Sequence, residues 1–128
     1  MKIVDVENAP RLHEVPLPLI CIKKASVIVQ LDDETEKRLQ LEFSPYQGVR
    51  ITTADCFKMP SGLPVIRRTI MEIQNSSWIS ELRDNLKNND MTANFLDKSR
   101  HFLLPLGDDF LEVVAWDITS IQLQGREI

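Results

Sequence analysis

Few side chains in this chain could do chemistry, and most of them lie between Arg100 and Asp117, in RHFLLPLGDDFLEVVAWD. His101 is one of two histidines, and with Glu112 it could form a general base and its orienting acid. With Asp108 and Asp109 added, the same residues could be read as a metal site. Zinc asks for several nitrogen or sulfur ligands in a nearly closed shell. The chain has only His13 and His101, and its two cysteines, Cys21 and Cys56, are far apart. Aspartates in a turn have a simpler reason, since their side chains bond nearby amides. Turn plus strand is therefore preferred to a ligand cluster, and neither a metal nor a cofactor is expected.

The acid/base pair depends on the register of one hairpin. If Gly107-Asp108-Asp109 is a three-residue loop, Leu106 pairs with Phe110. His101 then faces Ala115, Glu112 faces Leu104, and the two lie on opposite sides of the ribbon. A one-residue slip would put them on one side. The first register makes His101 a structural residue. The second would let Arg100, His101 and Glu112 line a pocket between helix and sheet.

Other candidates are weaker. Thr52, Thr53, Asp55 and Cys56 in RITTADCF include a thiol, but no nearby histidine activates it and the adjacent aspartate disfavours a thiolate. Arg67 and Arg68 are adjacent, so on a strand they point to opposite faces and make no joint patch. None of the four glycines belongs to a phosphate-binding loop. Trp116 could anchor a partner, and Asp32, Asp33 and Glu34, beside Glu36 in a turn, could present an electrostatic face.

The elements that would position these residues can be read in outline. Ala25, Val27, Val29 and Leu31 alternate with polar or outward residues, as do Leu39, Leu41 and Phe43, and DDET between them suits a hairpin turn. GVRITT reads as a third strand, and LPVIRRTIMEIQ as a strand over Val65–Gln74 that also fits helical spacing. NSSWISELRDNLKNND has a serine cap, at Ser76 or Ser77, and an apolar stripe of Trp78, Ile79, Leu82 and Leu86, which predicts a helix. Asp90 could cap a second short helix carrying Met91 and Phe95 on one face. HFLLPL and FLEVVAWD form the closing hairpin, and ITSIQLQG one more strand. Three prolines within residues 1–18 predict a short strand followed by an irregular arm.

Composition bounds the rest. A chain of 128 residues is expected to be a single domain with a core that needs no disulfides. The two cysteines are expected to be reduced thiols in or near that core. A net charge of −4 disfavours nucleic-acid binding and suits a basic protein partner. The N-terminus lacks a secretory apolar region and no apolar run is long enough for a membrane span, so a cytoplasmic, membrane-free setting is expected.

Two segments carry a resemblance. SSWISELRDNLKNNDMTANFLDKSRHFLLPLGDDFLEVVA and, upstream, SPYQGVRITTADCF are similar to a pattern in small uncharacterised bacterial proteins, some of the immunity-protein type. The matched positions are Trp78, Arg100, His101, Phe102, Asp108, Glu112 and Ala115. The resemblance implies a stoichiometric binder that neutralises a partner protein. The expected fold is α+β: a mostly antiparallel, curved or barrel-like sheet with one main helix and a short second helix packed on it. The expected role is non-enzymatic binding of another protein, of the immunity or regulatory type, with Asp32, Asp33, Glu34, Asp108, Asp109 and Trp116 on the partner surface. The alternatives are a small-ligand binder or enzyme with its pocket at Arg100, His101 and Glu112, and a self-associating structural domain, a homodimer.

Overall fold

The computed structural model describes residues 2–59 and 68–124. Its strands are β1 (Lys2–Asp5), β2 (Leu19–Lys23), β3 (Ser26–Asp32), β4 (Arg38–Thr53), β5 (Met71–Gln74), β6 (Arg100–Pro105) and β7 (Asp109–Gln122). One α-helix, α1 (Ser77–Asn89), stands between β5 and β6. The strands form one antiparallel sheet in the order β1-β5-β6-β7-β4-β3-β2. The fold is thus α+β, with β6 and β7 central and β1 and β2 at the edges. The segment 60–67, and with it Val65, Ile66 and Arg67, lies outside the described residues.

The sheet is open, not a closed barrel. The arm after β1 instead bridges from the residues leading into β5 to the end of β3. Val6 N–H donates to the Ile70 carbonyl (2.9 Å) and Leu12 N–H to that of Arg68 (2.8 Å), while His13 N–H donates to Asp32 (3.1 Å) and Asp32 N–H to Pro16 (2.8 Å). Between these ties Leu12 is driven into the core, with Leu31, Leu41, Phe43, Phe102 and Leu104 around it. Phe43 and Phe102 meet with ring centroids 5.3 Å apart, a favoured tilted geometry.

The other face of the central strands is also covered. Ser76 caps α1 by accepting from Ile79 N–H (3.1 Å), and Trp78 and Ile79 pack with Leu96 on Val114 of β7. Trp78 needs a place to lie, and Gly48 of β4 provides it. A Cβ at Gly48 would stand 2.8 Å from Trp78 Cζ2.

Several expectations are corrected. The two strands read from KRLQLEF and GVRITT are one strand, β4, running through SPYQ with a register shift between Tyr46 and Gly48. ITSIQ continues β7 and is not a separate strand. The expected second helix is only a 3-10 turn at Phe95–Lys98, and Met91 is 88% exposed. The Asp90 carboxylate does not start a helix; it accepts from Thr92 N–H (3.1 Å) and Oγ1 (2.8 Å), closing a local turn. Strand β2 has no counterpart in the sequence reading. Both cysteines are exposed, Cys21 on β2 and Cys56 in a 3-10 turn, and not in the core. No helix among the described residues is long and apolar enough to cross a membrane.

Candidate functional site

The β6–β7 hairpin closes with two residues, not three. Leu106 N–H donates to Asp109 O (2.8 Å), so the loop is Gly107-Asp108. Gly107 has φ +84°, and Asp108 is not among the left-handed residues, which is the type II′ pattern suited to the twist of paired strands. Every pair in the ribbon is therefore one residue from the three-residue register. His101 faces Val114 and Leu103 faces Glu112. Side chains alternate across a strand, so His101 and Glu112 share one face, contrary to the first register considered above.

On that face they are bonded. His101 Nε2 and Glu112 Oε2 are 2.6 Å apart. Arg50, opposite Glu112 on β4, donates from Nη2 to the same oxygen at 2.9 Å. On its other side the imidazole meets the helix cap, with Ser76 Oγ 2.7 Å from Nδ1. Trp78 seals the assembly. Its indole stands edge-on to His101 (5.2 Å between centroids, 75°), and the Arg50 guanidinium lies over it at 3.8 Å.

The Glu112 carboxylate accepts from His101 Nε2–H, and Ser76 Oγ, which already accepts from Ile79 N–H, shares one more hydrogen bond with Nδ1. Burial alone would push the Glu112 carboxyl up, but the bonds from His101 and Arg50, with the Arg50 charge, hold it below the usual glutamate value.

Hydroxyl, imidazole and carboxylate in series is the order of an acyl-transfer triad. Here the imidazole and the carboxylate are turned inward, and Ser76 stands in the wall of a cleft. Ser76 is 6% exposed, His101 3% and Glu112 4%. The serine oxygen is committed to the helix cap. A nucleophile must reach its substrate, and this network ties α1 to the middle of the sheet instead. A cleft of about 420 Å3 opens beside it, with Ser76 and Arg100 in its wall, but His101 and Glu112 lie behind the wall. The pocket trio expected from sequence is thus split. Arg100 faces the other way, bonded to Glu72 (2.7 and 3.1 Å) and Asp117 (3.3 Å). Among the described residues no group of three or more His, Cys, Asp and Glu is placed to hold a metal ion.

The acidic surface expected from sequence is also divided. Asp32 is buried and paired with Arg38 at 3.2 Å. Asp33 is spent on its own turn, accepting from Thr35 N–H (2.8 Å), Thr35 Oγ1 (2.6 Å) and Lys37 N–H (3.0 Å). Partial burial would raise its carboxyl, but these bonds outweigh it and lower it. Glu34 is offset by Arg11 at 3.4 Å. Asp108 stands exposed in the hairpin loop, and Asp109 begins β7. Trp116 is half-buried, its Nε1 donating to the Phe95 carbonyl (2.9 Å) and Lys98 lying 5.0 Å over its ring. Sequence reasoning missed Ser76, Arg50 and Trp78 as the neighbours of His101. The Gly-Asp step, a two-residue loop signal, was the clue available.

No family model, curated protein or solved structure matches the chain.

Proposed function

We propose that this protein works by binding another protein, without catalysis, in the manner of an immunity or regulatory protein, and that edge strand β2 is the surface it uses. One observation carries the reading. Among the described residues β2 is paired on one side only, with β3, and it exposes Leu19 (50%) and Ile22 (55%) on its two faces. An edge strand offers a row of backbone donors and acceptors, and natural proteins commonly blunt it with proline, charge or a bulge. Within Leu19–Lys23 only the terminal Lys23 does so. A partner strand added there gains main-chain hydrogen bonds, with Leu19 and Ile22 supplying side-chain contacts. The burial of His101 and Glu112, with the Ser76 oxygen held in the helix cap, supports the same reading, because it leaves surface rather than chemistry to act.

The test is capture of a partner from cells that make the protein, comparing wild type with Leu19→Lys/Ile22→Lys. The double variant is expected to keep its melting temperature and lose the captured partner. His101→Ala is expected to keep the partner wherever it keeps the fold. Capture unaffected by the β2 charges would reject the edge as the binding surface. Light scattering of the wild type alone shows whether a second copy takes the same edge.

A further inference from the structure

The cleft beside the buried network lies between the first turns of α1 and the β5–β6 part of the sheet. Its wall includes Glu72, Asn75, Ser80, Arg83, Ser99 and Arg100. Most of these polar groups are already engaged. Arg100 is spread over Glu72 and Asp117. Ser99 donates to Gln47 (2.7 Å), and Ser80 donates to the Ser76 carbonyl (3.3 Å).

Arg83 is different. It forms a loose ion pair with Asp97, 3.6 Å from Nε and too far for a hydrogen bond, and its side chain is 38% exposed. That Nε is buried and makes no hydrogen bond among the described residues. A guanidinium carries five N–H donors in a fixed fork, and a buried donor left without an acceptor is costly. The fork matches the paired oxygens of a carboxylate or phosphate. Asn75 and the start of α1, the positive end of its dipole, also line the cleft. The volume is in the range of clefts that hold metabolite-sized molecules.

We propose that this cleft binds a small organic oxyanion through the Arg83 fork. The ligand enters from solvent, displaces the loose Asp97 contact and sets its charged oxygens against Arg83, with Asn75 as a second donor. The site asks nothing of His101 or Glu112 and is independent of the β2 edge.

Amide chemical shifts of the full chain, titrated separately with succinate and with inorganic phosphate, test it. At least one anion is expected to give saturable shifts in residues 75–83 and 99–100. Arg83→Gln is expected to weaken that binding by about tenfold or more, the loss of a charge-assisted fork, while Arg83→Lys retains part of it. Arg11→Gln, an arginine on another surface, is expected to leave it unchanged. Whichever anion saturates identifies the oxyanion class. No saturable shift with either anion, or equal shifts in Arg83→Gln, overturns the proposal.

Discussion

Glu112→Gln probes the buried network with the least steric disturbance. Glutamine keeps the length of the side chain and one acceptor for the His101 Nε2 hydrogen. It removes the charge that faces His101 at 2.6 Å and Arg50 at 2.9 Å. A hydrogen bond to a charged group contributes about 1 kcal/mol more than a neutral one, so two such bonds suggest a loss of about 2 kcal/mol. The Arg50 side chain is 45% exposed, so its share is the smaller one. A loss of this size is a large part of the roughly 5–15 kcal/mol that holds a domain together. The pH dependence follows from the carboxyl being held below its ordinary value of 4.5. A group depressed in the folded state contributes fully above its unfolded value, and the contribution fades as pH falls through the folded one. The difference between wild type and variant is therefore constant at neutral pH and narrows below 4.5, as first the unfolded chain and then folded Glu112 takes up the proton. Urea unfolding of both proteins across that range measures it. A difference under about 0.5 kcal/mol at neutral pH, the scatter of ordinary surface changes, would refute the coupling. So would a difference that widens on acidification.

Three further outcomes test other parts of the structure. Gly48→Ala puts a Cβ against Trp78 Cζ2, and is expected to cost about 1–3 kcal/mol and to shift tryptophan fluorescence. An unchanged spectrum would place the indole elsewhere. Ser76→Ala removes both the cap on Ile79 and the hydrogen-bond partner of His101 Nδ1, for a loss of about 2 kcal/mol in thermal unfolding, while a fluorophosphonate is expected to leave wild-type Ser76 unlabelled. Labelling at Ser76 would turn the network into a catalytic one. Cys21 and Cys56 are both expected to react with a thiol reagent in the folded protein, since both are exposed; protection of either would contradict its placement.

Legibility from sequence tracked how many faces of an element meet solvent. β3 and the first half of β4 are covered on one face, and their burial alternates cleanly, so period-2 patterning revealed them. α1 was legible for the same reason, with a serine cap to mark its start. β2 was not. Only Ile20 packs against the core while Leu19, Cys21 and Ile22 are exposed, so LICIK carries no alternation that distinguishes a strand from an arm. The second helix failed on packing. Met91 and Phe95 have helical spacing, but Met91 has nothing to pack against, and tertiary contact supplies most helical stability.

The hairpin shows why the candidate site itself was hidden. A register is specified when one face is buried and the other wet, because a slip would then expose the core. His101, Phe102, Leu103 and Leu104 are all buried, as are Leu111 through Ala115. Either register puts these residues inside, so hydrophobic pattern alone cannot choose between them. The choice falls to the turn. Gly107 can take φ +84° without strain, which permits a two-residue loop, whereas a side chain there would be strained. That one backbone angle decides whether His101 meets Glu112 or a hydrocarbon. Gly107→Ala therefore perturbs the network from outside it: the left-handed conformation costs a side chain about 1–2 kcal/mol. If the turn resists, stability falls by that amount and the His101 resonances stay in place. If it yields, the His101 and Glu112 bond is lost with it, and the His101 resonances move. An alanine variant with neither lower stability nor altered His101 resonances would show that the turn does not set the register.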